Sequence, residues 1–221
     1  MKNTVIQDNI TAGISRLFDY DFDGTTTFIP PEFTPPKSFG IGLIVGPSGS
    51  GKSTLLGNQN KIDWRDGVSI ASHFSSAEEA ADRLSGVGLN SIPSWLREYK
   101  VLSTGEKFRA DLARSICDGA KIDEFTSVVD RTVAISCSVA VSRFIRSNSI
   151  QGVIFSSCHY DIIPWLQPDW VFDTSLGRFD YDPKKDQTLH WEFFRARSKL
   201  GQCSAIITIS RETSIKVVAV G

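Results

Sequence analysis

The sequence predicts an α/β fold with a mostly parallel central sheet flanked by helices, an antiparallel β flank at the N-terminus and a β hairpin at the C-terminus. Three observations carry this. Gly40 to Val45 is an apolar run of strand length that feeds the small-residue stretch 46–51, after which the pattern becomes helical. Gly152 to Ser157 is a second continuous apolar run, the mark of a strand buried on both faces. The tail carries two β-prone runs, Ser204 to Ser210 and Ser214 to Val220, around Arg211, Glu212 and Thr213.

At 221 residues the chain suits one large domain with an appendage: a β flank and linker over 1–39, a core over 40–180 and an extension over 181–221. Its net charge of -1 gives no reason to invoke a nucleic-acid or membrane-surface footprint. No stretch approaches the roughly 20 apolar residues that cross a bilayer, and no secretory pattern opens the chain. We therefore expect a soluble, cytoplasmic protein with no membrane-spanning segment. Cys117, Cys137, Cys158 and Cys203 are too widely spaced for a zinc or disulfide framework and read as reduced thiols.

The flank mixes the β-prone Gly24 to Ile29 with the cluster Pro30, Pro31, Pro35 and Pro36. Phe18, Tyr20 and Phe22 alternate within it. Such alternation reads as core, with Tyr20 also a candidate for stacking on a nucleotide base.

The stretch Gly46-Pro47-Ser48-Gly49-Ser50-Gly51-Lys52-Ser53-Thr54 has the composition and context of a phosphate-binding loop. Successive backbone N–H groups can wrap phosphate oxygens only where small residues let the backbone approach and take positive φ, which Gly46, Gly49 and Gly51 permit. Lys52 would reach the β and γ phosphates, and Ser53 would ligate a magnesium ion between them. The expected fold is thus a P-loop NTPase.

Beyond the loop, Asn58 to Gly67 reads as a turn-rich connection and Val68 to Ser72 as a second strand. Ser75, Ser76, Glu78 and Glu79 open a helix that runs to Gly86, and a short helix is expected near Ser94 to Tyr99 with Trp95 and Leu96 packing.

Leu102-Ser103-Thr104-Gly105-Glu106 then precedes an amphipathic pattern at Phe108, Leu112 and Ile116. Here the chain resembles the signature segment of the ABC-type ATPases, Leu-Ser-Gly-Gly-Gln before a helix. Thr104 and Glu106 replace the first glycine and the glutamine. Ile122-Asp123-Glu124-Phe125-Thr126-Ser127-Val128-Val129-Asp130 is similar to the same family's acidic motif and D-loop, Asp-Glu-Pro-Thr-Ser-x-Leu-Asp, with Phe125 and Val129 at the proline and leucine positions. The strand ahead of Asp123 is poor in apolar residues and should be short or at an edge. A helix over Arg131 to Arg146 follows, then the strand that ends at Cys158-His159-Tyr160-Asp161, where His159 resembles the family's switch histidine. Asp169 to Asp173 gives one more strand, and Leu176-Gly177 a turn.

This resemblance implies that Asp123 holds magnesium through water, Glu124 polarises the attacking water, His159 senses the γ-phosphate and Asp130 helps set a dimer contact. It implies ATP and Mg²⁺ as cofactors, and a head-to-tail homodimer in which Ser103 and Gly105 of one copy close the nucleotide held by the other. Stacking by Tyr20 leaves adenine and guanine equally open. The interval from Lys52 to Ser103 is short, so the helical insertion, at about 75–118, is reduced. No glutamine follows the expected second strand, and His73 is the stand-in. The coupled process is open: a module associated with DNA modification, repair or defence, with a protein or nucleic-acid partner, or the ATPase subunit of a membrane transporter.

Overall fold

The computed structural model describes residues 2–27, 29–59, 62–181, 205–209 and 215–219. The chain enters through an antiparallel pair, β1 (Lys2–Thr4) and β2 (Thr25–Thr27), separated by helix α1 (Asn9–Leu17). Asp8 caps α1, its carboxylate accepting from the Ile10 and Thr11 amides. No residue of α1 is buried. Phe18 and Tyr20, expected in the core, are 76% and 66% exposed. The helix turns Ile10, Ile14 and Leu17 outward, and of the alternation after it Phe22 alone is half-buried.

Strand β3 (Ile41–Val45) is buried along its whole length, and helix α2 (Lys52–Leu56) follows the glycine-rich loop. The expected strand over Val68 to Ser72 does not form: Ser69 makes one isolated bridge to Glu98, and Ala71–His73 is a turn of 3₁₀ helix. Serine chemistry explains it. Ser69 Oγ meets Ser72 Oγ at 2.8 Å and accepts from the Ser72 amide, so side chains compete with a ladder for the backbone.

Helix α3 (Ala77–Gly86) starts at Ser76, whose hydroxyl accepts from the Glu79 amide at 3.1 Å. The short α4 (Ile92–Trp95) and a 3₁₀ turn at Tyr99–Val101 stand where one short helix was expected. Trp95 packs on the core, but Leu96 is 70% exposed, because the helix stops before it can turn Leu96 inward. Helix α5 (Thr104–Ser115) leads to β4 (Lys121–Ile122), two residues long and at the sheet edge, as the sparse apolar sequence requires.

Helix α6 (Arg131–Ser147) buries Ala134, Cys137, Val141, Phe144 and Ile145, one face at helical spacing. Strand β5 (Val153–Ser157), helix α7 (Ile163–Leu166), β6 (Trp170–Asp173) and β7 (Arg178–Tyr181) complete the core. The sheet order is β4-β5-β3-β6-β7, with all pairs parallel except β6 with β7.

The two faces of the sheet carry two cores. Leu43, Val45, Phe155 and Val171 pack under α3, α5 and α6, while Ile44, Ile154, Trp170 and Phe172 pack with Leu56, Phe33 and Phe39. Gly42 is fixed by the second: a Cβ there would lie 2.0 Å from Trp170 Cζ2. The tail runs form the expected hairpin, β8 (Ala205–Ile209) antiparallel to β9 (Ile215–Ala219). Leu189 to Ala196 lies outside the described residues.

Candidate active site

Strand register gathers the candidate residues on one edge. Val45 is level with Ser157 on β5 and Asp173 on β6, and Ile122 is level with Phe155. The segments that leave these strands at their C-terminal ends therefore emerge side by side: the loop 46–51, Asp123 and Glu124, Cys158 and His159, and Thr174. That is the end of a parallel sheet where ligands bind in open α/β folds.

Within the loop, Gly49 and Gly51 have φ of 77° and 86°, left-handed values that glycine takes without strain. Lys52 Nζ donates to Gly46 O at 2.9 Å and Pro47 O at 2.8 Å, holding its ammonium across the loop it follows. Helix α2 spans only five residues. Its dipole is correspondingly small, and the loop amides and Lys52 supply most of the positive field.

Asp123 accepts several hydrogen bonds. Ser156 Oγ donates to its Oδ1, the Glu124 amide to the same oxygen at 2.9 Å, and Gln59 Nε2 to Oδ2 at 3.2 Å. Burial raises its pKa, but hydrogen bonds from Ser156, Ser53, the Glu124 amide and Gln59 outweigh burial and leave it below the ordinary value. The carboxylate is thus ionised at neutral pH. One carboxylate and one hydroxyl form the hard oxygen set that suits a magnesium ion completed by phosphate and water oxygens.

Glu124 is exposed and has φ of 50°, and buried Thr126 has φ of 70°. Two left-handed non-glycine residues kink the chain over the end of β5, a form of strain that concentrates at functional sites. Thr126 Oγ1 lies 3.2 Å from His159 Nδ1, and the His159 amide donates to Ser157 Oγ at 3.0 Å. Burial, then the Arg131 cation, hold the His159 pKa below its ordinary value against the pull of Asp161. Arg131 pairs with Asp161 through Nε at 3.0 Å.

At the next element, Ser103 and Glu106 form a reciprocal cap: Glu106 Oε2 accepts from the Ser103 amide at 2.9 Å, and Ser103 Oγ accepts from the Glu106 amide at 3.4 Å. Ser103 and Thr104 are exposed. A Cβ on Gly105 would lie 3.9 Å from Val129, so the segments 103–106 and 127–130 adjoin. Asp130 caps α6, accepting from the Thr132 and Val133 amides at 2.9 and 3.0 Å.

His73 Nδ1 is bonded to Ser69 O and its Nε2 accepts from the Arg65 amide, so both nitrogens are occupied by backbone. It lines a cleft of about 450 Å³ with Arg65 and Arg114. A histidine tied this way holds a turn together and has no hydrogen-bonding group left for phosphate.

No protein-family model and no curated protein matches the chain in sequence. Among solved structures, a metal-chelate type ABC transporter in an inward-facing conformation matches over 83% of this chain and 87% of its own, at 15% identity and a TM-score of 0.50. The fold is that of an ABC-type cassette. Two dimeric structures of the ATP-binding cassette MJ0796 also match, both with TM-scores of 0.47. One, in a post-hydrolysis state bound to ADP and Pi, matches at 15% identity over 60% of this chain and 80% of its own. The other, a bacterial ABC transporter cassette, matches at 16% over 65% and 84%.

Several residues that shape the site are held by contacts between distant parts of the chain. Ser156, Gln59 and Thr126 hold Asp123 or His159 across 33, 64 and 33 residues of chain, and Thr174 meets the phosphate loop across 124. No local spacing announces such contacts. For Thr174 alone there was a cue, its place directly after a buried strand.

Proposed function

We propose that the chain binds ATP with magnesium and hydrolyses it, and that two copies close head to tail around the nucleotide. The observation that carries the reading is the strand register, with Val45 level with Ser157 and Ile122 level with Phe155, which brings the end of the glycine-rich loop beside the Asp123 carboxylate.

In this reading the N–H groups of 46–51 other than Pro47 wrap the phosphates, and Lys52 exchanges its bonds to Gly46 and Pro47 for the β and γ oxygens. Ser53 and Asp123 would hold a magnesium ion, which would supply positive charge to offset that of the phosphates. Glu124 orients a water and accepts its proton as the water oxygen bonds to the γ phosphorus and the bond to the bridging oxygen breaks, releasing ADP and phosphate. His159, accepting at Nδ1 from Thr126, carries its proton on Nε2 and donates to the γ-phosphate. Exposed Ser103 and the adjoining Gly105 of a second copy supply the lid.

Phosphate release from ATP with magnesium tests this. The chain should turn over ATP, Lys52→Ala should abolish binding, and chelation of the metal should stop turnover; nucleotide binding unchanged in Lys52→Ala would overturn the assignment.

A further inference from the structure

The turn after β6 is unusually tied down. Asp173, fully buried, accepts from the Ser175 amide at 2.8 Å and from Tyr160 Oη at 3.0 Å, and the Gly177 amide closes onto Asp173 O at 2.9 Å. This frame fixes Thr174. Its amide donates to Val45 O at 2.9 Å, extending the β3–β6 ladder by one bond, and its Oγ1 donates to the same carbonyl at 3.1 Å.

A threonine hydroxyl has one proton. With that proton on Val45 O, the 2.6 Å contact between Thr174 Oγ1 and Ser50 Oγ runs from Ser50 to Thr174. The relay Ser50 to Thr174 to Val45 thus joins the middle of the phosphate loop to the strand residue from which it departs. Sterics agree with the hydrogen bonds. A Cβ on Gly46 would lie 1.9 Å from Thr174 Oγ1 and 2.9 Å from Ser50 Oγ, so the threonine hydroxyl occupies the space that the glycine leaves open.

We infer that Thr174 is a positioning residue for the phosphate loop: it sets the loop's curvature by clamping Ser50 and Gly46 against the rigid end of β6. The inference rests on the reading of 46–53 as a triphosphate site. It adds a residue outside every motif of that site, and it makes loop geometry depend on the neighbouring strand.

The test is a double-mutant cycle on the full chain, with Thr174→Val, Thr174→Ser, Ser50→Ala and Ser50→Ala/Thr174→Val. Readouts are ADP and ATP affinity with magnesium, KM and kcat, and thermal melting without nucleotide as a check on folding. Losing the two part-buried hydrogen bonds of Thr174 Oγ1 should weaken nucleotide binding roughly five- to tenfold in Thr174→Val, with KM raised and kcat little changed, because the clamp acts on ground and transition states alike. Thr174→Ser should restore affinity to within about twofold, and the double variant should be no worse than either single one. Wild-type affinity in Thr174→Val, failure of serine to rescue it, or losses that add in full would overturn the inference. If the unsubstituted chain bound neither nucleotide, the triphosphate reading itself would fall and this inference with it.

Discussion

The Phe125 amide donates to the Ser156 carbonyl at 2.8 Å, a bond that proline, the residue of the ABC acidic motif at this position, could not make. The departure from the motif is therefore structural. The Phe125 ring is fully buried, with centroids 4.6 Å from Phe155 and 5.9 Å from Phe108, and it pins the segment carrying Asp123 and Glu124 to the sheet and to α5.

Placing proline at this position should accordingly harm this chain. Phe125→Ala should cost about 3–5 kcal/mol from the lost burial and cavity, and Phe125→Pro should cost at least as much because it also orphans the Ser156 carbonyl. Urea denaturation monitored by tryptophan fluorescence measures both; a proline variant as stable as the parent would refute the anchoring role.

Glu106 differs from the motif's glutamine for a related reason. Hydrogen bonds from Ser94, then from the Ser103 amide and hydroxyl, hold its pKa near about 2 against an ordinary value of 4.5. Between those values the folded state binds fewer protons than the unfolded one, so the carboxylate's contribution is full above the ordinary value and is lost as pH falls toward 2. Glu106→Gln should be less stable than the parent at pH 7, and the difference should narrow across that acid window. A difference independent of pH would show that shape, not charge, matters there.

The His159 imidazole should titrate below 6.5, since burial and Arg131 both disfavour its cation. Arg131→Met should move that midpoint upward, removing a repelling cation and leaving Asp161 unpaired beside the ring; proton NMR of the ring C2–H reads it directly. His159→Ala should lower kcat about a hundredfold with nucleotide affinity nearly unchanged, as expected for loss of one donor to the transition state.

Much of this arrangement was legible in the sequence because its parts are contiguous. The runs 41–45 and 153–157 announce buried strands by unbroken apolarity, and the loop between Gly46 and Ser53 carries its chemistry within eight positions. Helix α1 hid its start in a capping box that uses Thr11 where glutamate is usual, and its interior is interrupted by Gly13. The segment 68–72 has strand-like Val68 and Ile70, but Ser69 and Ser72, three apart, turn it into a bonded turn. Strand β7 reads as Arg-Phe-Asp-Tyr, too short and polar to stand out beside its turn. Ser156 and Thr174 act through register, which depends on which strands become neighbours.

Asp123 and Ser53 should act together on the metal. Asp123→Asn and Ser53→Ala should each weaken Mn²⁺ binding in the presence of ADP, read by electron paramagnetic resonance, by about tenfold or more. Affinity of either variant equal to that of the parent would remove that residue from the metal site.

The head-to-tail closure is tested most directly with Glu124→Gln, which should bind ATP and magnesium without consuming them. Light scattering on a sizing column should give twice the chain mass with ATP and magnesium, and the single-chain mass with ADP or after adding Ser103→Arg. A Glu124→Gln protein that binds ATP yet stays at the single-chain mass at every protein concentration would contradict the proposed dimer.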